Sequence, residues 1–293
     1  MVPYNADTIS MIIDSHCHIL PPNFTHRHTE LSARDGTYAT LFPKATPRLA
    51  TAEDVIKSTG IAGVDMAVVM GMGWTDAEIA REANDYIISS VNRYPDTLTG
   101  YCSVNPAWGA DAVSEVERCV ACGLRGIGEI HPDSQNFDIT DKALLTPLMT
   151  VAQRLNLPVL VHASEPVGHY YPGKGRTTPD KLYVFIENFP ENVIICAHWG
   201  GGLPFYNLMP EVPRTLQNVF FDTAASPFLY HSEIFSRVAS LVGIDKILMG
   251  TDYPLLSHQR LLNQIADSEL ESEAKAAILG GNAARLLGLT AKR

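Results

Sequence analysis

The 293-residue sequence lacks the features that mark membrane, secreted disulfide-rich and nucleic-acid-binding proteins. No run reaches the roughly 18 consecutive apolar residues of a spanning helix, and the first ten residues have no basic start. The five cysteines, an odd number, lie mostly in apolar runs, so we expect reduced thiols. The 22 basic and 32 acidic residues give a net charge of −10, which repels phosphate backbones and anionic membranes. The sequence therefore predicts a cytoplasmic protein without a nucleic-acid or membrane partner.

Short apolar, β-branched runs recur along the chain, and a segment with helical spacing follows each run. Most runs, such as VDMAVVM and NVIICAH, are continuously hydrophobic, as in strands whose two faces are both covered. Eight such units favour an α/β fold, a closed (β/α)8 TIM barrel, over an open doubly wound sheet. The predicted strands are Met11–Asp14, Gly63–Met70, Leu98–Val104, Leu124–Ile130, Pro158–His162, Asn192–Ala197, Asn218–Asp222 and Lys246–Gly250.

The sequence predicts one barrel domain over residues 1–293, because no linker or low-complexity tract divides it. An extended loop over about 20–50 follows the first strand, and a lid-like loop over about 164–177 follows the fifth. Loops at this end of a barrel surround the active site, so we expect both to cover a pocket. Pro210 and Pro213 predict short or kinked pieces in the sixth unit.

Polar residues of the kinds that bind metals stand at the C-terminal ends of five apolar strands. These ends meet at one rim of a barrel, and residues two apart in a strand, such as His16 and His18, face the same side. Each residue alone would more often be a core histidine or a helix cap. Together on one rim they predict a catalytic site for zinc or a similar divalent ion. The candidate ligands are His16, His18, Glu129, His162, His198 and Asp252.

These stretches resemble the amidohydrolase superfamily, specifically the amidohydrolase-2 branch of barrel enzymes related to aminocarboxymuconate-semialdehyde decarboxylase-like enzymes. The matching segments are IDSHCHI, LPVLVHASE, NVIICAHWGG, ILMGTDYP and GGNAARLLGL, in this order over nearly the whole chain. The resemblance implies that His16, His18, His162 and Asp252 bind the metal. It also implies that His198 either ligates a second metal or stabilises charge on the substrate.

Glu129 departs from the pattern of this branch. Many binuclear relatives carry a carboxylated lysine on the fourth strand, whereas the decarboxylases usually carry no ligand there. A glutamate at this place is similar to the TatD-type hydrolases, in which it contacts or bridges the metals. We therefore expect one or two divalent ions, first of all Zn²⁺, although this mixed ligand set also suits manganese, iron or cobalt.

Glu129 leads us to expect a metal-dependent hydrolase that acts on an amide, ester or lactone bond of a small, anionic molecule. A bound ion would lower the pKa of its water to about 7, and Asp252 would act as general base. His198 would then hydrogen-bond the developing oxyanion. The alternative is a metal-dependent lyase, a decarboxylase or hydratase, on a carboxylated aromatic-degradation intermediate. The acidic charge disfavours a TatD-like nuclease, and the intact ligand set disfavours a barrel without catalysis.

Four further residues are candidates for substrate binding. His169, Lys174 and Arg176 lie in the glycine-rich loop after the fifth strand, where cations would attract a carboxylate. Trp199 follows His198 and is a candidate wall of the pocket. A solvated loop and packing against the rim are the alternative interpretations, and His131 is interpreted as the start of a turn. The sequence leaves open the identity of the substrate and whether the chain forms a homo-oligomer.

Overall fold

The structure, a computed structural model, describes residues 11–44 and 47–290. Within these ranges, short parallel strands alternate with helices as the sequence predicts, and each predicted apolar run overlaps one strand. The first strand begins later than predicted and continues to His18, so the histidine pair belongs to the strand itself. The strands are β1 (Ile13–His18), β2 (Met66–Met70), β3 (Leu98–Gly100), β4 (Ile127–Ile130), β5 (Val159–Val161), β6 (Ile194–Cys196), β7 (Val219–Asp222) and β8 (Ile247–Leu248).

The strands form two parallel sheets that together make a TIM barrel. One sheet contains β1, β2 and β3, and the other contains β4 to β8 in sequence order. A bridge between Cys102 and Ile127 joins the two sheets on one side. A bridge between Cys17 and Tyr253 joins β1 to the segment after β8 on the other side, and we call this second junction the closing seam.

Helices surround the barrel, and several begin at residues that favour helix starts. They are α1 (His28–Arg34), α2 (Gly36–Leu41), α3 (Ala52–Ala62), α4 (Ala77–Arg93), α5 (Ala110–Ala121), α6 (Lys142–Arg154), α7 (Pro179–Asn188), α8 (Val212–Thr215), α9 (Ser226–Leu229), α10 (Glu233–Val242), α11 (His258–Ala266), α12 (Ser272–Ala276) and α13 (Asn282–Leu287). Thr51 and Asp54 form a capping box at the start of α3. Pro179 takes the first position of α7, where its missing N–H costs nothing.

Both faces of the strands are covered by protein. In β5, Leu160 joins Ile13 and Val68 in the cluster inside the barrel. Its neighbours Val159 and Val161 belong to a larger cluster formed with the surrounding helices. Because successive side chains of a strand point to opposite faces, this double burial requires an uninterrupted apolar run.

The two long segments after strand ends differ in structure. The segment 20–50 contains a 3-10 turn at Pro22–His26 followed by α1 and α2, whereas 164–177, described throughout, contains no helix or strand. The sixth unit is irregular, as its prolines predict, with 3-10 turns over His198–Leu208 and the four-residue α8. All five cysteines are free. Among the described residues, no helix combines the length and the hydropathy that crossing a membrane requires.

Candidate metal centre

The ends of β1 and β8 bring three metal-binding side chains together. His16 and His18 are both buried, and their Nε2 atoms lie 3.1 Å apart. The Oδ1 atom of Asp252 lies 3.3 Å from Nε2 of His18 and 3.9 Å from Nε2 of His16. Ligand atoms about 2.1 Å from one divalent ion lie about 3.0–3.4 Å from each other. These three side chains therefore fit a shared ion with only small movements.

Glu129, His162 and His198 form an adjoining group at the ends of β4, β5 and β6. Oε1 of Glu129 accepts a hydrogen bond from Nδ1 of His162 at 2.9 Å and lies 3.7 Å from Nε2 of His198. Its Oε2 lies 3.7 Å from Nε2 of His18 and 4.0 Å from Nε2 of His16. One carboxylate thus faces both groups, and the structure brings all six predicted ligands together.

Three of the four histidines present Nε2 to this cluster because an acceptor holds the other ring nitrogen. Nδ1 of His16 donates to Oδ2 of Asp222 at 2.8 Å. Nδ1 of His18 and Nδ1 of His198 donate to backbone carbonyl oxygens at 2.9 and 3.0 Å. A proton on Nδ1 leaves Nε2 free to bind a metal, and these outer contacts fix the ring orientations.

The carboxylates around the histidines favour positive charge at the site. Burial alone would lower the pKa of His16, yet Asp222, with Glu129 and Asp252, raises that pKa to about 10. Burial also opposes protonation of His198, whose pKa the same carboxylates raise to about 9. Burial would raise the pKa of Glu129, but the facing histidines hold it well below its usual range. A bound cation can replace the protons that these carboxylates stabilise, so the donor set fits a divalent metal.

The backbone after β6 adopts a left-handed conformation that turns His198 toward the cluster. The φ angles of His198 and Trp199 are 54° and 57°, and the three following glycines also have positive φ. A Cβ on Gly201 would collide with the carbonyl oxygen of Ser164, so no side chain fits there. Asp252 likewise has a φ of 65°. Such conformations cost free energy in non-glycine residues and concentrate at functional sites.

The three candidate substrate-binding residues of the loop after β5 have different surroundings. Nζ of Lys174 donates to the carbonyl oxygens of Val167 and His169 at 2.7 and 3.2 Å. The side chains of His169 and Arg176 are exposed. Lys174 therefore holds its own loop together, whereas His169 and Arg176 remain open to solvent.

Trp199 points away from the cluster despite its place next to His198. Its side chain is fully buried, and its Nε1 donates to Oγ of Ser226 at 2.9 Å. The ring packs edge-on against Phe235 with centroids 5.0 Å apart. The structure therefore places Trp199 in the core and not among the side chains that face the donor cluster.

Two further residues contact the cluster. Asp222, which ends β7, links His16 to His198, because its Oδ1 also accepts from the backbone N–H of His198 at 3.0 Å. The position of Asp222 at the end of a predicted strand is the feature of the sequence that could have indicated its role. His131 stacks on His162 with ring centroids 3.9 Å apart, and burial, then the charge of His162, lowers its pKa to about 4. Nothing in the local sequence indicates this stack.

A parallel barrel with imidazole and carboxylate donors at its C-terminal rim is typical of metal-dependent barrel enzymes. The model of the amidohydrolase family matches residues 13–289, and the chain belongs to this family. This membership agrees with the resemblance seen in the strand-end motifs.

Comparisons with known proteins give relatives and a structural neighbour. The chain is 25% identical over 336 residues to the 2-amino-3-carboxymuconate-6-semialdehyde decarboxylase of Dictyostelium discoideum, covering 96% of this chain and 92% of the relative. It is 25% identical over 202 residues to a 2-keto-4-carboxy-3-hexenedioate hydratase of a Sphingobium species, covering 59% and 58%. The 5-carboxyvanillate decarboxylase of Novosphingobium aromaticivorans, solved with manganese and a nitrobenzoic acid, matches with a TM-score of 0.75 at 16% identity, covering 97% and 98%. At this identity the neighbour supports the fold alone.

The expectation of a hydrolase is wrong. The relatives are a decarboxylase and a hydratase, which are lyases, and they match the alternative interpretation. The hydrolase expectation depended on Glu129, because a fourth-strand carboxylate is similar to the TatD-type hydrolases and is generally lacking in the lyases. In the structure, its Oε1 accepts from Nδ1 of His162. A fourth-strand carboxylate that orients a histidine is compatible with either reaction class, so Glu129 does not distinguish them.

Proposed function

We propose that the protein is a metal-dependent lyase that decarboxylates a small carboxylated molecule. The observation that carries this proposal is the convergence of imidazole Nε2 atoms with the carboxylates of Glu129 and Asp252 on the barrel rim. Relatives named as a decarboxylase and a hydratase support the reaction class. Addition of water to a double bond, as the name of the second relative describes, is the second candidate reaction.

The donor set is proposed to hold one or two divalent ions. His16, His18, His162 and Asp252 would hold the first ion, with Glu129 beside them, whereas His198 would be a ligand only of a second ion and is otherwise free to act on the substrate. When bound, such an ion polarises substrate oxygens and stabilises the negative charge that develops on them. Imidazole and carboxylate donors suit Zn²⁺ and Mn²⁺ alike, and a structural neighbour contains manganese.

Side chains at the rim can donate and accept the protons that a decarboxylation requires. The reaction breaks the bond between the carboxylate carbon and its neighbour, releases CO₂ and leaves an electron pair that must take up a proton. Nδ1 of His198 stays bonded to the carbonyl oxygen of Ala224, so Nε2 is the atom that can deliver that proton. Asp252, whose Oδ1 lies beside Nε2 of His18, can accept a proton from a substrate hydroxyl group on its other carboxylate oxygen. His198 is buried and the side chain of Asp252 is 15% exposed, so little water reaches these groups and their electrostatic interactions are strengthened.

The loop 164–177 is proposed to border the substrate pocket, since the carbonyl oxygen of its Gly173 accepts a hydrogen bond from Nε2 of His131 at 2.9 Å. His131 in turn stacks on His162 in the donor cluster. The exposed side chains of His169 and Arg176 would meet an incoming carboxylate first. A small anionic molecule is therefore the proposed substrate class.

The proposal is tested by measuring CO₂ release from protein that is purified without chelator and supplied with Mn²⁺ or Zn²⁺. The probes are 2-amino-3-carboxymuconate-6-semialdehyde and 5-carboxyvanillate, with simple esters and lactones as hydrolysis controls. We expect CO₂ release by the wild-type protein and its loss in Asp252→Asn. Hydrolysis of an ester or lactone, with no CO₂ from any carboxylated probe, would contradict the proposal.

A further inference from the structure

The closing seam between β1 and β8 has candidate metal ligands on both sides. His16 and His18 belong to β1, and Asp252 follows β8. Backbone hydrogen bonds join the sides there, because N–H of Asp252 donates to the carbonyl oxygen of His16 at 2.9 Å. N–H of His18 donates to the carbonyl oxygen of Tyr253 at 2.7 Å. The spacing of these ligands is therefore set by the way the seam closes.

Asp14 is fully buried in this seam and accepts four hydrogen bonds. Its Oδ1 accepts from the backbone N–H groups of His16 and Thr251, each at 3.0 Å. Its Oδ2 accepts from the hydroxyl group of Thr251 at 2.5 Å and from Nε2 of His258 at 3.1 Å. All four partners can donate a hydrogen bond to the carboxylate. It ties a ligand on one side of the seam to the residue that precedes Asp252 on the other.

His258, the first residue of α11, connects this carboxylate to the outer helices. It is fully buried, and its Nδ1 lies 2.8 Å from Oγ of Ser58 on α3. Its ring stacks on Tyr253 with centroids 5.1 Å apart. A continuous chain of contacts thus runs from Ser58 through His258 and Asp14 to the backbone of His16 and of Thr251, the residue before Asp252.

We propose that Asp14 and His258 are positioning residues that hold the ligands on the two sides of the closing seam at the spacing a divalent ion requires. The inference rests on the proposed metal-dependent function. Oδ1 and Oδ2 of Asp14 act on the backbone of His16 and on Thr251, so they influence the centre without binding the ion. Hydrogen-bond partners that orient the side chains of metal ligands typically change metal affinity 10- to 100-fold when removed, and we expect a comparable effect through the backbone.

The test is a titration of metal-free Asp14→Asn with Co²⁺, whose visible absorption reports the geometry of its ligands. The amide keeps the shape of the side chain but replaces one acceptor oxygen by a donor. We expect at least tenfold weaker Co²⁺ binding than in the wild-type protein and a shifted absorption spectrum. His258→Gln, which keeps a donor toward Asp14 but loses the contact with Ser58, should show a smaller loss.

Asp35→Asn is the matched control. Asp35 is another buried carboxylate with four hydrogen bonds, but its partners are Tyr38, Thr75 and Asp76, away from the seam. Thermal unfolding of the metal-free proteins measures the stability that each substitution removes. We expect the control to unfold at a lower temperature and still bind Co²⁺ as the wild-type protein does.

Unchanged Co²⁺ affinity and spectrum in Asp14→Asn, whatever its stability, would overturn the inference and leave the proposed function intact. If Asp14→Asn does not fold, His258→Gln decides by the same two readouts. Absence of Co²⁺ binding by the wild-type protein would overturn the proposed function together with this inference, so the two failures are distinguishable.

Discussion

Asp222 should control metal binding by His16, because it decides which ring nitrogen carries the proton. Its Oδ2 accepts from Nδ1 of His16 at 2.8 Å, while its Oδ1 accepts from the backbone N–H of His198 at 3.0 Å. In Asp222→Asn, the amide oxygen keeps the hydrogen bond from the backbone N–H of His198. The NH₂ group of the new side chain then faces Nδ1 of His16. That group donates, so the proton of His16 moves to Nε2, the atom that must bind the ion. The substitution therefore blocks a ligand without removing it.

The expected loss in Asp222→Asn is 10- to 100-fold in metal affinity, as for other groups that orient metal ligands. This corresponds to about 1.4–2.7 kcal/mol, at about 1.36 kcal/mol for each factor of ten. The substitution also removes a negative charge beside the centre, which acts in the same direction. The assay is titration of metal-free protein with Zn²⁺ against a chromophoric chelator, with circular dichroism to verify the fold. Affinity within twofold of the wild-type value in a folded variant would refute the tautomer argument.

Two further predictions concern stability. Gly201→Ala should lower the free energy of unfolding in urea by about 1–3 kcal/mol, because its φ is 60° and the new Cβ would meet the carbonyl oxygen of Ser164; unchanged stability would contradict this. Glu115→Gln should destabilise the protein at pH 7 and progressively less below about pH 4.3. Burial alone would raise the pKa of Glu115, but hydrogen bonds from Arg118 and Asn84 bring it below the ordinary value. The carboxylate of Glu115 therefore stabilises the protein above the pKa of the unfolded state, and this contribution is lost as the pH falls through the pKa of the folded state. A loss of stability in Glu115→Gln that does not change with pH would contradict this prediction.

Most of the fold could be predicted from the sequence because each strand is buried on both faces. The run VDMAVVM contains β2, and eight such runs alternating with helices predict the barrel. The ends of the strands were less predictable, since they depend on backbone contacts between distant segments. The hydrogen bond from His18 to Tyr253 across the closing seam is one such contact.

The convergence of the six candidate ligands could be predicted because the ends of parallel strands share one rim. The direction of Trp199 could not, since the left-handed backbone that turns its ring into the core is a tertiary feature. The charge of Lys174 likewise gave no indication that its partners are carbonyl oxygens of its own loop. The reaction class was mispredicted from Glu129, because hydrolases and lyases both need an ion that polarises a substrate oxygen.

The central claim is that the strand-end donors form one metal centre. Elemental analysis of protein purified without chelator or affinity metal, beside the His16→Ala/His18→Ala double variant, tests it most directly. We predict about one to two equivalents of a divalent transition metal in the wild-type protein and a loss of that metal in the folded double variant. No metal in the wild-type protein even after reconstitution, or equal metal in both proteins, would contradict the claim.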